Sequence, residues 1–285
     1  MTVTAPYTGS ARRVYFDAQQ FNYFAGPDTS PHPEHALHRV SRAVKAGKIE
    51  VVGSLDLLQE VIEAFPQAGK KARRMVDLFF KLVGDRLLLP LSERHRQETS
   101  TGGVLSEEDR YLSRELRRDV RRLAQSGRDV FELANELHRE KVAFLSAERA
   151  VQEKMRDRLI EEGATKPARL MREWIADVDL DDWVRDIADA GRQRGRVPDH
   201  VSVGPEQTPS ASAFVAIRLA RLARTMGEGR KIQDSDLADA HHVACGPYID
   251  VLVTDDKELR STLALVRARL SLERESSAEF FATLP

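Results

Sequence analysis

The chain has 285 residues, 41% of them hydrophobic, 31% charged and 6% aromatic, enough to bury the core of one large domain or two modest ones. Lys and Arg total 44 against 45 for Asp and Glu, which excludes a broad cationic field: a nucleic-acid partner has to be held by local basic patches. The single cysteine, Cys245, excludes an internal disulfide, and no apolar run approaches the roughly 20 residues needed to span a bilayer.

The opening residues lack the apolar stretch of a signal peptide, so a soluble, cytoplasmic protein with no membrane partner is expected. The first strand is predicted at Val14-Tyr15-Phe16, a run too short and too rich in β-branched and aromatic side chains to read as a helix. Helical spacing follows over 34–46, stopping near Gly47, and a second strand over 49–52. Ser54 is a good N-cap for a helix over 55–65.

From about 67 to 204 no strand is predicted. Helical patterns cover 70–83, 107–124 and 130–162, with Ser106 and Asp109 resembling a capping box before the second. Trp174, Ile175, Trp183, Val184 and Ile187 suggest shorter amphipathic helices, with loop signals at 99–103 and 195–210. Helices are then predicted over 211–227 and 236–245, the latter stopped by Gly246-Pro247, followed by a strand at Val251-Leu252-Val253 and a helix over 257–270. Strand–helix units therefore stand at both ends, 1–66 and 205–285. A helical insertion, 67–204, separates them.

Two of the strands run into acids. Val14-Tyr15-Phe16 leads to Asp17, and Val251-Leu252-Val253 leads through Thr254 to Asp255 and Asp256. Ligand sites of parallel α/β sheets form beyond the carboxyl ends of the strands, so these acids are placed for chemistry. Glu60, in the helix after the second strand, and Asp239, in the helix before the third, are positioned to join them. Clustered carboxylates repel one another unless a cation compensates, and an oxygen-only set suits Mg2+ or Mn2+. Such ions activate water and neutralise the leaving oxygen in phosphodiester cleavage. Asp236, three residues before Asp239, and Asp255 are reserve ligands. Ser54 and Thr254 either hydrogen-bond within the site or cap helices. His241 and His242 either orient a carboxylate or are core histidines.

Basic residues offer phosphate contacts in several places. On the 211–227 helix, Arg218, Arg221 and Arg224 stand three residues apart and form the candidate nucleic-acid-binding stripe. Lys70, Lys71, Arg73 and Arg74 form one further cluster, and Arg192, Arg194 and Arg196 another.

The segment VYFDAQQFNYF resembles the opening of PIN domains, in which a hydrophobic strand delivers an aspartate. VVGSLDLLQEV resembles their second segment, and DSDLADAHHVACGPYIDVLVTDDKEL resembles the aspartate-bearing helix, turn and strand ending in Thr-x-Asp. The resemblance covers roughly 12–65 and 211–270. It implies a three-layer α/β/α fold with a central parallel sheet, interrupted here by the large helical insertion. It further implies a Mg2+- or Mn2+-dependent nuclease, a ribonuclease by preference, with Asp17, Glu60, Asp239 and Asp256 as catalytic metal ligands and RNA or single-stranded nucleic acid as substrate. The insertion is open to a protein regulator, and a homodimer is compatible with the pattern. Where the family usually has Asn two residues after the first Asp, this chain has Gln19. That substitution and the neutral charge balance motivate the alternative, a non-catalytic PIN-like module binding RNA or protein. A phosphatase of the haloacid dehalogenase type ranks last, because it requires an acid at position 19.

Overall fold

The computed structural model describes residues 11–26, 33–126, 204, 206–228, 233, 235–266, 270, 272–284 and scattered positions between 130 and 153. The helices expected around Trp174, Ile175, Trp183, Val184 and Ile187, most of the helix expected over 130–162, and the basic loop of Arg192, Arg194 and Arg196 lie outside the described residues.

Strand β1 (Arg12–Phe16) buries Val14, Tyr15 and Phe16 completely. Bulky side chains on both faces are what a central parallel strand, covered on both sides, requires. β1 pairs with β2 (Ile49–Val51) along one edge and with β3 (Val251–Val253) along the other, Val14 standing opposite both Val51 and Val251. Among the described residues the sheet has four strands, all parallel, in the order β2-β1-β3-β4. The protein is thus α/β with a parallel sheet, compatible with a three-layer α/β/α arrangement. The outer strand β4 (Glu273–Glu275) has no apolar residue and gave no signal in the sequence. It is an edge strand, where charge is tolerated, and Arg12 crosses the sheet to hold Glu273 and Glu275 at 2.6 Å each.

Helix α1 (Ala18–Ala25) starts directly at the end of β1, and α2 (Pro33–Lys45) returns the chain to β2 through Gly47, whose φ of 65° suits glycine. Helices α3 (Leu55–Glu63) and α4 (Phe65–Val83) follow, then α5 (Leu91–Thr101) and α6 (Arg114–Gln125). After the segment outside the description come α7 (Pro209–Glu228), α8 (Ser235–Val243), a 3-10 turn at Gly246–Tyr248, β3, α9 (Lys257–Leu265), β4 and α10 (Ser277–Thr283). Helix α10 is closed by a reciprocal Ser276–Glu279 capping box, and its Phe280 ring lies 5.4 Å from that of Phe16.

The expected helix over 107–124 starts later, at Arg114. Ser106 and Asp109 do hydrogen-bond at 2.6 Å, but they close only a turn. The chain then extends so that Tyr111 bridges Leu88, and Ser113 caps the real helix. Leu87 in turn makes a parallel bridge to Gly53 just beyond β2. Helix α4 packs on α1 and α3, and Phe79, Leu87, Leu88, Leu105 and Leu112 share one buried core with Phe16 and Leu252.

Candidate functional site

Each strand of the central trio ends at a polar side chain that also starts a helix. Asp17 caps α1 by accepting from the Gln20 amide at 3.1 Å. Ser54 caps α3 through Leu57, also at 3.1 Å, and Asp256 caps α9 by accepting from Glu258 and Leu259 at 2.7 and 2.9 Å. Helix N-termini carry unpaired N–H groups, and these caps satisfy part of that demand. The cap of α9 is thus Asp256 and not its neighbour Asp255. Asp255 is held instead by the Ser277 amide at 2.9 Å and the Gln20 side-chain amide at 3.0 Å.

β1 and β3 are neighbours whose onward connections leave in opposite directions, β1 toward β2 and β3 toward β4. Their shared carboxyl edge is the topological switch point where parallel α/β sheets open a crevice. Asp17 and Thr254 meet at this point: the Thr254 hydroxyl hydrogen-bonds the Asp17 carboxylate, and Thr254 Oγ1 accepts from the Asp256 amide at 3.1 Å.

Helices α3 and α8, which pack together, close the crevice. His242 of α8 is buried. One ring nitrogen, Nε2, lies 3.0 Å from Glu60 of α3, and the other, Nδ1, lies 2.8 Å from the Tyr15 hydroxyl, which stands 2.8 Å from Ser54 Oγ. A Glu60–His242–Tyr15–Ser54 chain therefore runs beneath the acids. Arg221 of α7, a helix that also packs on α8, is only 3% exposed, contacts Asp239 directly and lies 3.1 Å from Asp236. His241 stands 2.9 Å from Asp56.

The charges of these groups act on one another. Burial raises the Asp17 carboxyl to about 6, opposed by the Thr254 hydroxyl and His242 and assisted by Glu60. Burial likewise raises Asp239 to about 7, with Arg221 and His242 pulling down and Asp256 and Glu60 pushing up. Burial pulls the His242 imidazole down, but Glu60, Asp239 and Asp17 outweigh it and raise it to about 9, so the ring is a cation at neutral pH. Asp17, Glu60 and Asp239, from segments far apart in the chain, thereby share His242 as a neighbour, and Asp256 acts on Asp239.

The donor chemistry suits a hard divalent cation: carboxylate oxygens with two carboxyls raised by burial. The geometry is looser. Among the described residues no three His, Cys, Asp or Glu side chains form a ready metal cage. Arg221 takes Asp236 and Asp239, and His242 takes Glu60, so protein cations hold the oxygens a metal ion needs.

The basic row expected of Arg218, Arg221 and Arg224 does not face solvent. Arg221 is buried in the ion pairs just described. Arg224 donates to Glu258 O and Thr262 Oγ1 and pairs with the Glu258 carboxylate at 3.0 Å. Arg218 lies over the Phe214 ring, and burial lowers its pKa. Arg221 and Arg224 find their partners on α8 and α9, which α7 packs against, whereas Arg218 lies over a ring of its own helix. Gln19 is exposed on α1, whereas Gln20 is buried beside Asp17 and Asp255, so the amide nearest the site is one position later than the sequence pattern suggests. Sequence reasoning also missed Tyr15, which reads as one more aromatic in a buried strand. Its hydroxyl is the clue, because a buried phenol seeks a partner. No helix among the described residues is long and apolar enough to cross a membrane. Compared with known proteins, the chain matches no family model, no curated protein and no solved structure.

Proposed function

We propose that the protein is a divalent-metal-dependent nuclease that hydrolyses phosphodiester bonds of RNA or single-stranded nucleic acid. The supporting observation is that Asp17, Glu60 and Asp239 all act electrostatically on His242 beside the carboxyl edge shared by β1 and β3, and that Asp256 acts on Asp239. Asp17 and Asp239 are the principal ligands for Mg2+ or Mn2+, with Glu60 and Asp256 completing the set and Asp236 and Asp255 in reserve. The bound cation supplies a polarised water and compensates charge on the leaving oxygen. Arg221 and His242 keep the carboxylates in place, and Thr254 and Gln20 tether the two strand ends. The PIN-like resemblance of the sequence agrees with this reading.

Cleavage of labelled single-stranded RNA and DNA with Mg2+ or Mn2+ tests it. Cleavage abolished by EDTA, and by Asp17→Asn or Asp239→Asn in folded protein, is expected. Undiminished cleavage in both variants rejects the assignment.

A second reading is a non-catalytic PIN-like module that binds RNA or protein. One observation favours it: Asp236, Asp239 and Glu60 already have protein cations as partners. In that case divalent ions leave the melting temperature unchanged while nucleic-acid or protein binding persists.

A further inference from the structure

Helix α6 (RELRRDVRRLAQ) divides its circumference unusually. It packs on α4, the chain's next neighbour to α1 and α3, and buries only Ala124, with Val120 and Arg117 half-covered. At about 100° per residue, Arg117, Arg121, Arg114, Arg118 and Arg122 fill one continuous arc of roughly 140°, which no acid interrupts. Arg114, Arg118, Arg121 and Arg122 are exposed. The helix is pinned in this orientation by hydrogen bonds from Arg117 to Asp85 O at 2.6 Å and from Gln125 to Asp77 at 2.9 Å, and by Arg121 over the Phe80 ring. Among the described residues Arg114 and Arg118 have no hydrogen-bond or ion-pair partner, and Arg122 makes only an exposed 3.4 Å pair with Asp119.

We infer that this face of α6 is a backbone-binding track for single-stranded nucleic acid, a step that rests on the nuclease reading and names where its substrate is held. In a chain whose net charge is −1, a row of arginines without acids on the same arc is the local basic patch that phosphate recognition needs. Arg114, Arg118 and Arg121 follow one another along the axis at spacings of about 6 and 4.5 Å, so successive phosphates of a flexible strand can be met in turn. Helix α6 packs on α4, and α4 packs on α3, which bears Glu60; at about 8–10 Å per packed pair the axes of α6 and α3 are at most roughly 20 Å apart where they are bridged. A strand lying across α4 reaches both.

An anionic membrane surface fits less well. An interfacial helix has to bury the face opposite its basic arc, and on α6 that face offers only two exposed leucines, Leu116 and Leu123, while the flanking apolar side chains Val120 and Ala124 are taken up on the side toward α4.

The test is fluorescence anisotropy with the full chain and a labelled single-stranded RNA oligonucleotide in EDTA, so that no cleavage intervenes. The wild type binds. The triple variant R114Q/R118Q/R121Q binds at least about tenfold more weakly, and the slope of log affinity against log salt falls by about 2, from the loss of roughly 0.7 per phosphate contact. The control R42Q/K45Q on α2 binds as the wild type does. Should the glutamine variant fail to fold, R114K/R118K/R121K retains binding, and R114Q and R118Q each reduce the salt slope singly. Equal affinity and slope in wild type and triple variant, or a wild type that does not bind RNA, overturns the proposal. So does loss of binding to phosphatidylglycerol vesicles with RNA binding intact. Binding without any cleavage overturns the nuclease reading and leaves the track standing; cleavage and RNA binding indifferent to the triple variant do the reverse.

Discussion

His242 and Glu60 face each other at 3.0 Å across the packed helices α8 and α3, and the imidazole's other nitrogen is 2.8 Å from Tyr15 on the central strand. One side chain thus ties both covering helices to the sheet directly beneath the acidic cluster. It also places a positive charge where the carboxylates most need one. Because the folded-state pKa of His242 is raised from 6.5 to about 9, the folded protein holds this proton more tightly than the unfolded chain. The associated stability is complete below about pH 6.5 and is lost as pH rises toward 9. Thermal melting between pH 6 and 10 is expected to show that decline in the wild type and a much flatter profile in His242→Gln. An identical profile in the variant contradicts the pairing.

Asp17 acts in the opposite region of pH. Its carboxyl is raised from 3.8 to about 6, so the stability associated with its proton is complete below about pH 4 and lost as pH rises through 6. A shift of this size is worth on the order of 3 kcal/mol between the two protonation states. A divalent cation competes with that proton. Stabilisation by Mn2+ should therefore be small at pH 5 and grow through pH 6 to 8, as Asp17 and then Asp239, raised to about 7, ionise. A melting-temperature shift that does not vary with pH argues against Asp17 and Asp239 as ligands.

The two roles of Asp17 separate by substitution. Asparagine keeps an N-cap acceptor for the Gln20 amide while removing the charge; alanine removes both. Without metal at pH 8, Asp17→Asn should melt no lower than the wild type, whereas Asp17→Ala loses about 1 kcal/mol of cap stabilisation relative to Asp17→Asn. Chemical denaturation of the two variants measures the difference.

Arg221 is the counter-ion of two buried acids, Asp236 and Asp239. Replacing it with Met leaves both without compensation inside the protein, an outcome that typically costs about 3–5 kcal/mol. Asp236→Asn together with Asp239→Asn in the same background should recover part of that loss. Denaturant titration of the single and triple variants checks both statements.

Tyr15→Phe removes a hydroxyl lying between Ser54 and His242 without changing the packed ring. Both partners are buried, so the expected loss is about 1–2 kcal/mol in urea unfolding. A neutral effect contradicts the Glu60–His242–Tyr15–Ser54 chain.

Much of this edge was legible in the sequence because its signals are local. Val14-Tyr15-Phe16 and Val251-Leu252-Val253 are short apolar runs that end at Asp17 and Thr254, and Ser54 announces α3. The order of acids after these strands points to the carboxyl edge of β1 and β3 as the candidate site. What escaped was whatever depends on tertiary partners. β4, spelled Glu-Arg-Glu, is a strand because its backbone pairs with β3 and Arg12 reaches across to it. α5 hides in the sequence because Arg94 and Glu98, ordinarily surface residues, are buried in it. Glu98 accepts from the Tyr248 hydroxyl at 2.6 Å and the Ser210 amide at 3.1 Å. The inward turn of Arg218, Arg221 and Arg224 follows from which acids α8 and α9 bring to α7, a matter of packing that periodicity along one helix does not encode. The arginine arc of α6 was masked for a related reason. Counted along the chain, its charges balance with nearby acids; arranged around the helix, the two signs separate.

The most direct measurement is calorimetric titration of Mn2+ into the full chain at pH 8, comparing the wild type with Asp17→Asn/Asp239→Asn. The acidic site predicts saturable binding to one or two positions in the wild type, absent from the double variant while its melting transition remains cooperative. Binding of the same strength in both proteins, or none in the wild type, contradicts it.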